Sequence, residues 1–118
     1  MKKLSRRFAF LALSTVVVGS YLALLVPGVW AKGDTKAAAS LYEAKCAMCH
    51  AKNGSGSTPM GKSMKVPDLR SKEVQEKSDA QLALVIAKGE KMMPQYGSQF
   101  SKKQINDLVG YIRTLGKK

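Results

Sequence analysis

Apolar positions divide this chain into one unbroken run near the amino terminus and a longer region where they recur at helical spacing. The run extends from Phe8 to Val26. Beyond it, Ala38, Leu41, Tyr42 and Cys46 follow the i, i+3, i+4 rhythm of one buried helix face, with Asp34 or Thr35 placed to cap its start. A short helix is expected after Ser71, anchored by Val74. Ser78-Asp79-Ala80-Gln81 forms a capping box ahead of Leu82, Val85 and Ile86, and Gly89 stops that helix. The last helix is the best specified. Ser101 and Gln104 form a second capping box, Phe100 and Ile105 sit where a hydrophobic staple packs, and Ile105, Leu108, Val109, Ile112 and Leu115 make one stripe ending near Gly116. No segment alternates with a period of two, so the pattern predicts an all-α domain of about four helices.

Residues 51–70 break this rhythm. They hold Gly54, Gly56, Gly61, Pro59 and Pro67 and predict a loop without periodicity. A structureless loop of about 20 residues fits a compact domain only when it has a task. Wrapping one edge of a bound group is such a task, whereas a merely flexible loop leaves a small domain short of packing partners.

Lys2, Lys3, Arg6 and Arg7 precede the apolar run, and Val29-Trp30-Ala31 ends it in the manner of a signal-peptidase site. Cleavage is predicted after Ala31, which makes residues 1–31 a signal peptide and residues 32–118 one domain. Pro27-Gly28 breaks any helix continuing into the cleavage site. The 19 residues from Phe8 to Val26 are also long enough to span a bilayer, so an uncleaved anchor formed by residues 8–26 is the alternative. Either way the positive flank leaves the carboxyl-terminal domain outside the cytoplasm, periplasmic or otherwise exported. Ser5-Arg6-Arg7-Phe8 resembles part of a twin-arginine signal, with Ala9 where a large apolar residue is expected.

The two cysteines and the single histidine all fall within Cys46-Ala47-Met48-Cys49-His50. C-x-x-C-H is the attachment signature of a c-type haem: two thiols on one turn form thioethers, and the following imidazole binds iron. A thiol-redox motif needs a βαβ surround, and a zinc site needs a further soft ligand that the chain does not hold. A structural disulfide on an exported chain remains as the bland alternative. One covalent haem c also answers a packing problem, because 87 residues bury only a thin core of their own. The haem-free chain is therefore expected to fold poorly.

A second iron ligand cannot be histidine. The candidates are methionine, lysine or an open position. Met1 leaves with the leader, and Met48 lies inside the attachment turn. Met60 and Met64 fall in the loop, while Met92 and Met93 follow the third predicted helix. Pro94 holds the residue before it extended, which lets Met93 project inward from a non-helical segment.

With these residues in place the chain resembles the class I monohaem cytochromes c, most closely the small bacterial and photosynthetic members. The resemblance rests on Tyr42 four residues before the first cysteine, the motif Cys46, Cys49, His50, the string Pro67-Asp68-Leu69, the segment Gly89-Glu90-Lys91-Met92-Met93-Pro94, and Tyr111 in the last helix. It spans Ala38 to Leu115. It implies the small cytochrome c fold, covalent haem on Cys46 and Cys49, iron held axially by His50 and Met93, and a backbone carbonyl on the distal ring nitrogen of His50, for which Pro59 is the candidate. Two departures stand out: Ala38 and Ala51 occupy places where many members have glycine. A one-residue shift in register would exchange Met92 for Met93.

An iron with two protein ligands has no vacant position for a substrate, so the expected function is one-electron transfer by a monomeric carrier with no catalytic residues. The alternatives are a membrane-tethered cytochrome subunit of a larger oxidoreductase complex, and a peroxidase-like or gas-binding haem protein with a labile methionine. Charge bears on partners. Residues 32–118 hold 16 Lys and Arg against 8 Asp and Glu, and two haem propionates leave about +6. Lys52, Lys62, Lys65, Lys88 and Lys91 are expected to border the haem and favour redox partners with acidic docking surfaces, or loose association with an anionic membrane surface. Nucleic acid is excluded as a partner by export and by the absence of aromatic-basic interleaving.

Overall fold

The computed structural model describes residues 33–118, so the apolar run and the predicted cleavage site lie outside the described residues. Among the described residues every regular element is helical: α1 Thr35–Lys45, α2 Ala47–His50, α3 Pro59–Ser63, α4 Lys72–Gln75, α5 Asp79–Lys88 and α6 Lys102–Leu115.

The first helix begins where the Asp34 carboxylate accepts the Ala37 amide at 3.1 Å, and an alanine-rich sequence with little side-chain entropy to lose carries it forward. Ala38 and Tyr42 are its buried positions, and the Tyr42 ring tilts against Tyr111 of α6 with centroids 5.1 Å apart. Both expected capping boxes are present, at Ser78/Gln81 and Ser101/Gln104. All five residues of the α6 stripe are buried, Leu108 most completely at 1% exposure, so its truncation to alanine carries a cost of about 2–5 kcal/mol. Helix α5 ends at Gly89, whose φ of 71° suits a residue without a Cβ.

Residues 51–70 are more ordered than their sequence predicts. Helix α3 stands in their middle, with the Thr58 hydroxyl accepting the Gly61 amide at 2.9 Å and Pro59 in its first turn. A Cβ on Gly61 would collide with the Cys49 carbonyl oxygen, so this glycine permits α3 to lie directly on α2. The segment is then stitched to its surroundings by Gly56 N–H to His50 carbonyl at 2.9 Å and Leu69 N–H to Gly54 carbonyl at 2.8 Å.

Farther round, Gln75 bridges the Leu69 carbonyl (2.7 Å) and the Ile112 carbonyl (3.2 Å). Arg113 of α6 reaches the Gln75 carbonyl at 2.7 Å and Asp79 at 2.8 Å. These bonds fix the α4–α5 connection to the last helix, and the elements together enclose a cavity.

Candidate cofactor site

The cavity measures about 330 Å³ and draws its lining from every part of the domain. Tyr42, Leu108 and Ile112 line it, as do Cys46, Cys49 and His50, the cysteine wall. Met64, Val66, Pro67, Leu69 and Val74 follow, then Leu82, Val85 and Ile86 of α5, and finally Met92, Met93, Pro94 and Tyr96. Charged residues are confined to Lys45, Lys65, Glu73, Lys77, Glu90 and Lys91. A space this apolar, with few convergent polar groups, is built for a large hydrophobic ligand.

The cysteine wall is one helical turn. Helix α1 ends at Lys45, Cys46 departs to φ −115°, and the Cys49 and His50 amides return to the Cys46 carbonyl at 3.2 and 2.9 Å. Both thiols are unpaired. Burial, then the neighbouring Cys49, pushes the Cys46 thiol up to about 11, so it stays protonated at neutral pH. That is the opposite of the lowered value of a disulfide-exchange thiol, and it weighs against thiol-redox chemistry.

The His50 imidazole is pushed below its usual range by burial, which keeps it neutral and able to bind a metal. Its Nδ1 is buried and has no hydrogen-bond partner. The expected bond to the Pro59 carbonyl is not made. Pro59 opens a helix, and a carbonyl in a first helical turn points along the axis into its own helix. The Tyr42 hydroxyl instead secures the residue after the motif, donating to the Ala51 carbonyl at 2.9 Å. Ala51 itself has φ 63° and ψ 158°, a conformation populated almost entirely by glycine, so the alanine there is strained.

The methionine wall is a tight turn. The Met93 amide donates to the Glu90 carbonyl at 2.9 Å, and Lys91 takes a positive φ of 54° inside the turn. Met93 is half-buried and packs against the hydrophobic core, whereas Met92 is 68% exposed. Met64 and Met92 also line the cavity; Met48 and Met60 do not. The structure thus brings Cys46, Cys49, His50 and Met93 around one cavity.

The five lysines expected around the haem divide into two groups. Only Lys65 and Lys91 of the five line the cavity; Lys52 instead faces Glu43 at 3.6 Å. Lys45 and Lys77 take part without having been expected, because their places depend on where α1 ends and where the α4–α5 connection folds back. Tyr96 was also missed, although an aromatic just beyond a Met-Pro pair was a readable signal.

Two neighbouring free thiols and a neutral imidazole on one large apolar cavity, which methionines also line, suit a covalently attached haem. The comparisons agree. Residues 33–112 match the family model described as cytochrome c oxidase, cbb3-type, subunit III. The chain is also similar to cytochrome c6 of Limnospira maxima, 32% identical over 82 residues that cover 68% of this chain and 91% of that one. Matched in this way by a family model across most of its length and by a relative along two thirds of it, the chain belongs to the class I c-type cytochromes, electron carriers that hold haem c covalently and exchange electrons with redox partner proteins.

Proposed function

We propose that the protein is a one-electron carrier working outside the cytoplasm, with Cys46 and Cys49 attaching the haem and His50 and Met93 binding its iron. The observation that carries this reading is the contrast within the Met-Met pair: Met93 packs inward against the core, and Met92 is 68% exposed. Bound haem c supplies a one-electron iron couple.

The chain's residues do the rest. Cys46, just after α1, and Cys49, in α2, would fix the group to this turn, and neutral His50 presents a lone pair. Val66, Leu82, Val85 and Ile86 keep water out, which favours the less charged iron(II) state and a positive potential. With His50 and Met93 both bound to the iron, a substrate would have no place there, which supports a carrier over an enzyme. The four lysines at the cavity against two glutamates leave an excess of positive charge to attract an acidic partner surface. Export rests on the leader sequence in residues 1–31.

Replacing Met93 by alanine tests the ligand. The variant is expected to keep its covalent haem, lose the weak red absorption of ferric iron–sulfur ligation, and show a lower potential. Loss of that absorption in Met92→Ala and its retention in Met93→Ala would reverse the assignment.

A second reading is favoured by the family description, which names an oxidase subunit. On that reading the chain keeps residues 8–26 as a tether and serves a membrane complex. The mass of the purified protein decides: a chain starting at Lys32 supports the free carrier, and an intact leader supports the tethered subunit.

A further inference from the structure

Tyr96 joins the two walls of the cavity. Its hydroxyl donates to the carbonyl oxygen of Lys45 at 3.2 Å, immediately before Cys46. Among the described residues this is the one hydrogen bond between residues 45–50 and residues 89–97. Lys45 is the last residue of α1, where carbonyls lack a partner within their own helix, so the hydroxyl meets an acceptor that would otherwise face solvent.

The rest of Tyr96 is anchored on the methionine side. Its ring stacks on Phe100 with centroids 4.8 Å apart and planes 4° from parallel, and its amide donates to the Ile86 carbonyl at 3.0 Å. Only Pro94, with its restricted φ, and Gln95 separate Tyr96 from Met93, and both Tyr96 and Met93 line the cavity. A displacement at Tyr96 is therefore transmitted along a short, stiff segment.

We infer that Tyr96 is a positioning residue whose bond to the Lys45 carbonyl latches the methionine wall to the cysteine wall, and that this latch is released when Met93 is displaced. The inference rests on Met93 being the ligand. It assigns Tyr96 control over how readily another ligand enters, a role separate from general stability.

The test uses the ferric holoprotein with imidazole as the competing ligand. Tyr96→Phe keeps the ring and its stacking and removes only the donor. Asp34→Ala serves as a control, because it removes the N-cap of α1 and lowers global stability far from the latch. Tyr96→Phe is expected to bind imidazole about 2- to 5-fold more tightly, the displacement of one partly exposed hydrogen bond. Asp34→Ala is expected to unfold more easily in denaturant yet bind imidazole like the wild type. Unchanged affinity in Tyr96→Phe overturns the latch, as does an equal gain in both variants. A wild-type protein that never shows the iron–sulfur absorption overturns the ligand assignment, and the latch with it; that absorption together with unchanged Tyr96→Phe affinity overturns the latch alone.

Discussion

The cysteine wall is held from many directions, and the methionine wall from few. Around Cys49 and His50, the Gly56 amide reaches the His50 carbonyl at 2.9 Å, the Thr58 hydroxyl reaches the Cys49 carbonyl at 3.1 Å, and α3 lies against α2 through Gly61. Tyr42, 1% exposed, ties down the following residue. At Met93 itself there is one turn bond to Glu90, a left-handed lysine and an exposed neighbour, and the segment is next secured only at Tyr96 and Gly97, whose amides donate to the Ile86 and Ala87 carbonyls at 3.0 and 2.9 Å. A site built this way keeps its group permanently on one side and adjusts it from the other, since rearrangement begins where the fewest contacts must break.

The largest expected effect follows from removing the group that both walls enclose. In the double variant Cys46→Ser/Cys49→Ser, exported in a host able to attach haem, the cavity of about 330 Å³ loses its covalently held filling. An apolar void of this size costs several kcal/mol at about 24 cal/mol per Å³, comparable with the whole stability of a small domain. Little folded protein is expected, read by helix content and yield. A variant that unfolds cooperatively without haem would show that the walls stand by themselves.

How much of this contrast was legible in the sequence depended on local chemistry. Helices α5 and α6 announced themselves because each carries its capping box and stripe in consecutive residues. The haem motif was legible for the same reason. Helix α3 was not, since five residues are too few for a period, although Thr58-Pro59 was a fair start signal. The charged residues at the cavity are less legible because they come from distant segments: Lys45 and Lys77 reach it only through the packing of α1 and of the turn after α4. Pro59 does not serve His50 Nδ1 because it begins α3, a helix too short to be legible in the sequence.

The cysteine wall also carries strain, which Ala51→Gly should relieve. A non-glycine residue at φ 63°, ψ 158° costs about 1–3 kcal/mol, and the greater freedom of glycine in the unfolded chain returns part of that. A net gain of about 1 kcal/mol is expected in denaturant unfolding of the holoprotein, with the potential unchanged. Destabilisation would mean that the Ala51 methyl packs more favourably than the backbone conformation costs.

The corresponding change on the other wall should act differently. Lys91→Gly removes a left-handed side chain from the turn before Met93, at φ 54°. Its effect belongs on the ligand, not on global unfolding. Imidazole is expected to displace the proposed Met93 ligand roughly 2-fold less readily, a fraction of the usual cost of such strain. Equal changes in unfolding and displacement would erase the distinction between the walls.

The smallest effect lies between the walls, at Asp68. Arg70 donates to its carboxylate through Nε at 2.9 Å and a terminal nitrogen at 2.7 Å, and the Arg70 amide adds a third bond at 2.9 Å. Led by the side-chain bonds, these hold the carboxyl down at about 2. An unfolded carboxyl titrates near 3.9, so the folded state gains stability above that value and loses it as pH falls toward 2. The pair is well exposed, so solvent screening keeps the gain under about 1 kcal/mol. Asp68→Asn retains an acceptor for the Arg70 amide and removes the charge. Its stability should therefore fall less steeply than the wild type's between about pH 4 and pH 2, measured by denaturant unfolding at fixed ionic strength. Parallel curves would mean that the same Arg70 contact persists in the unfolded chain, as two residues so close in sequence permit, and that this stretch owes its place to the α3 and Gln75 bonds alone.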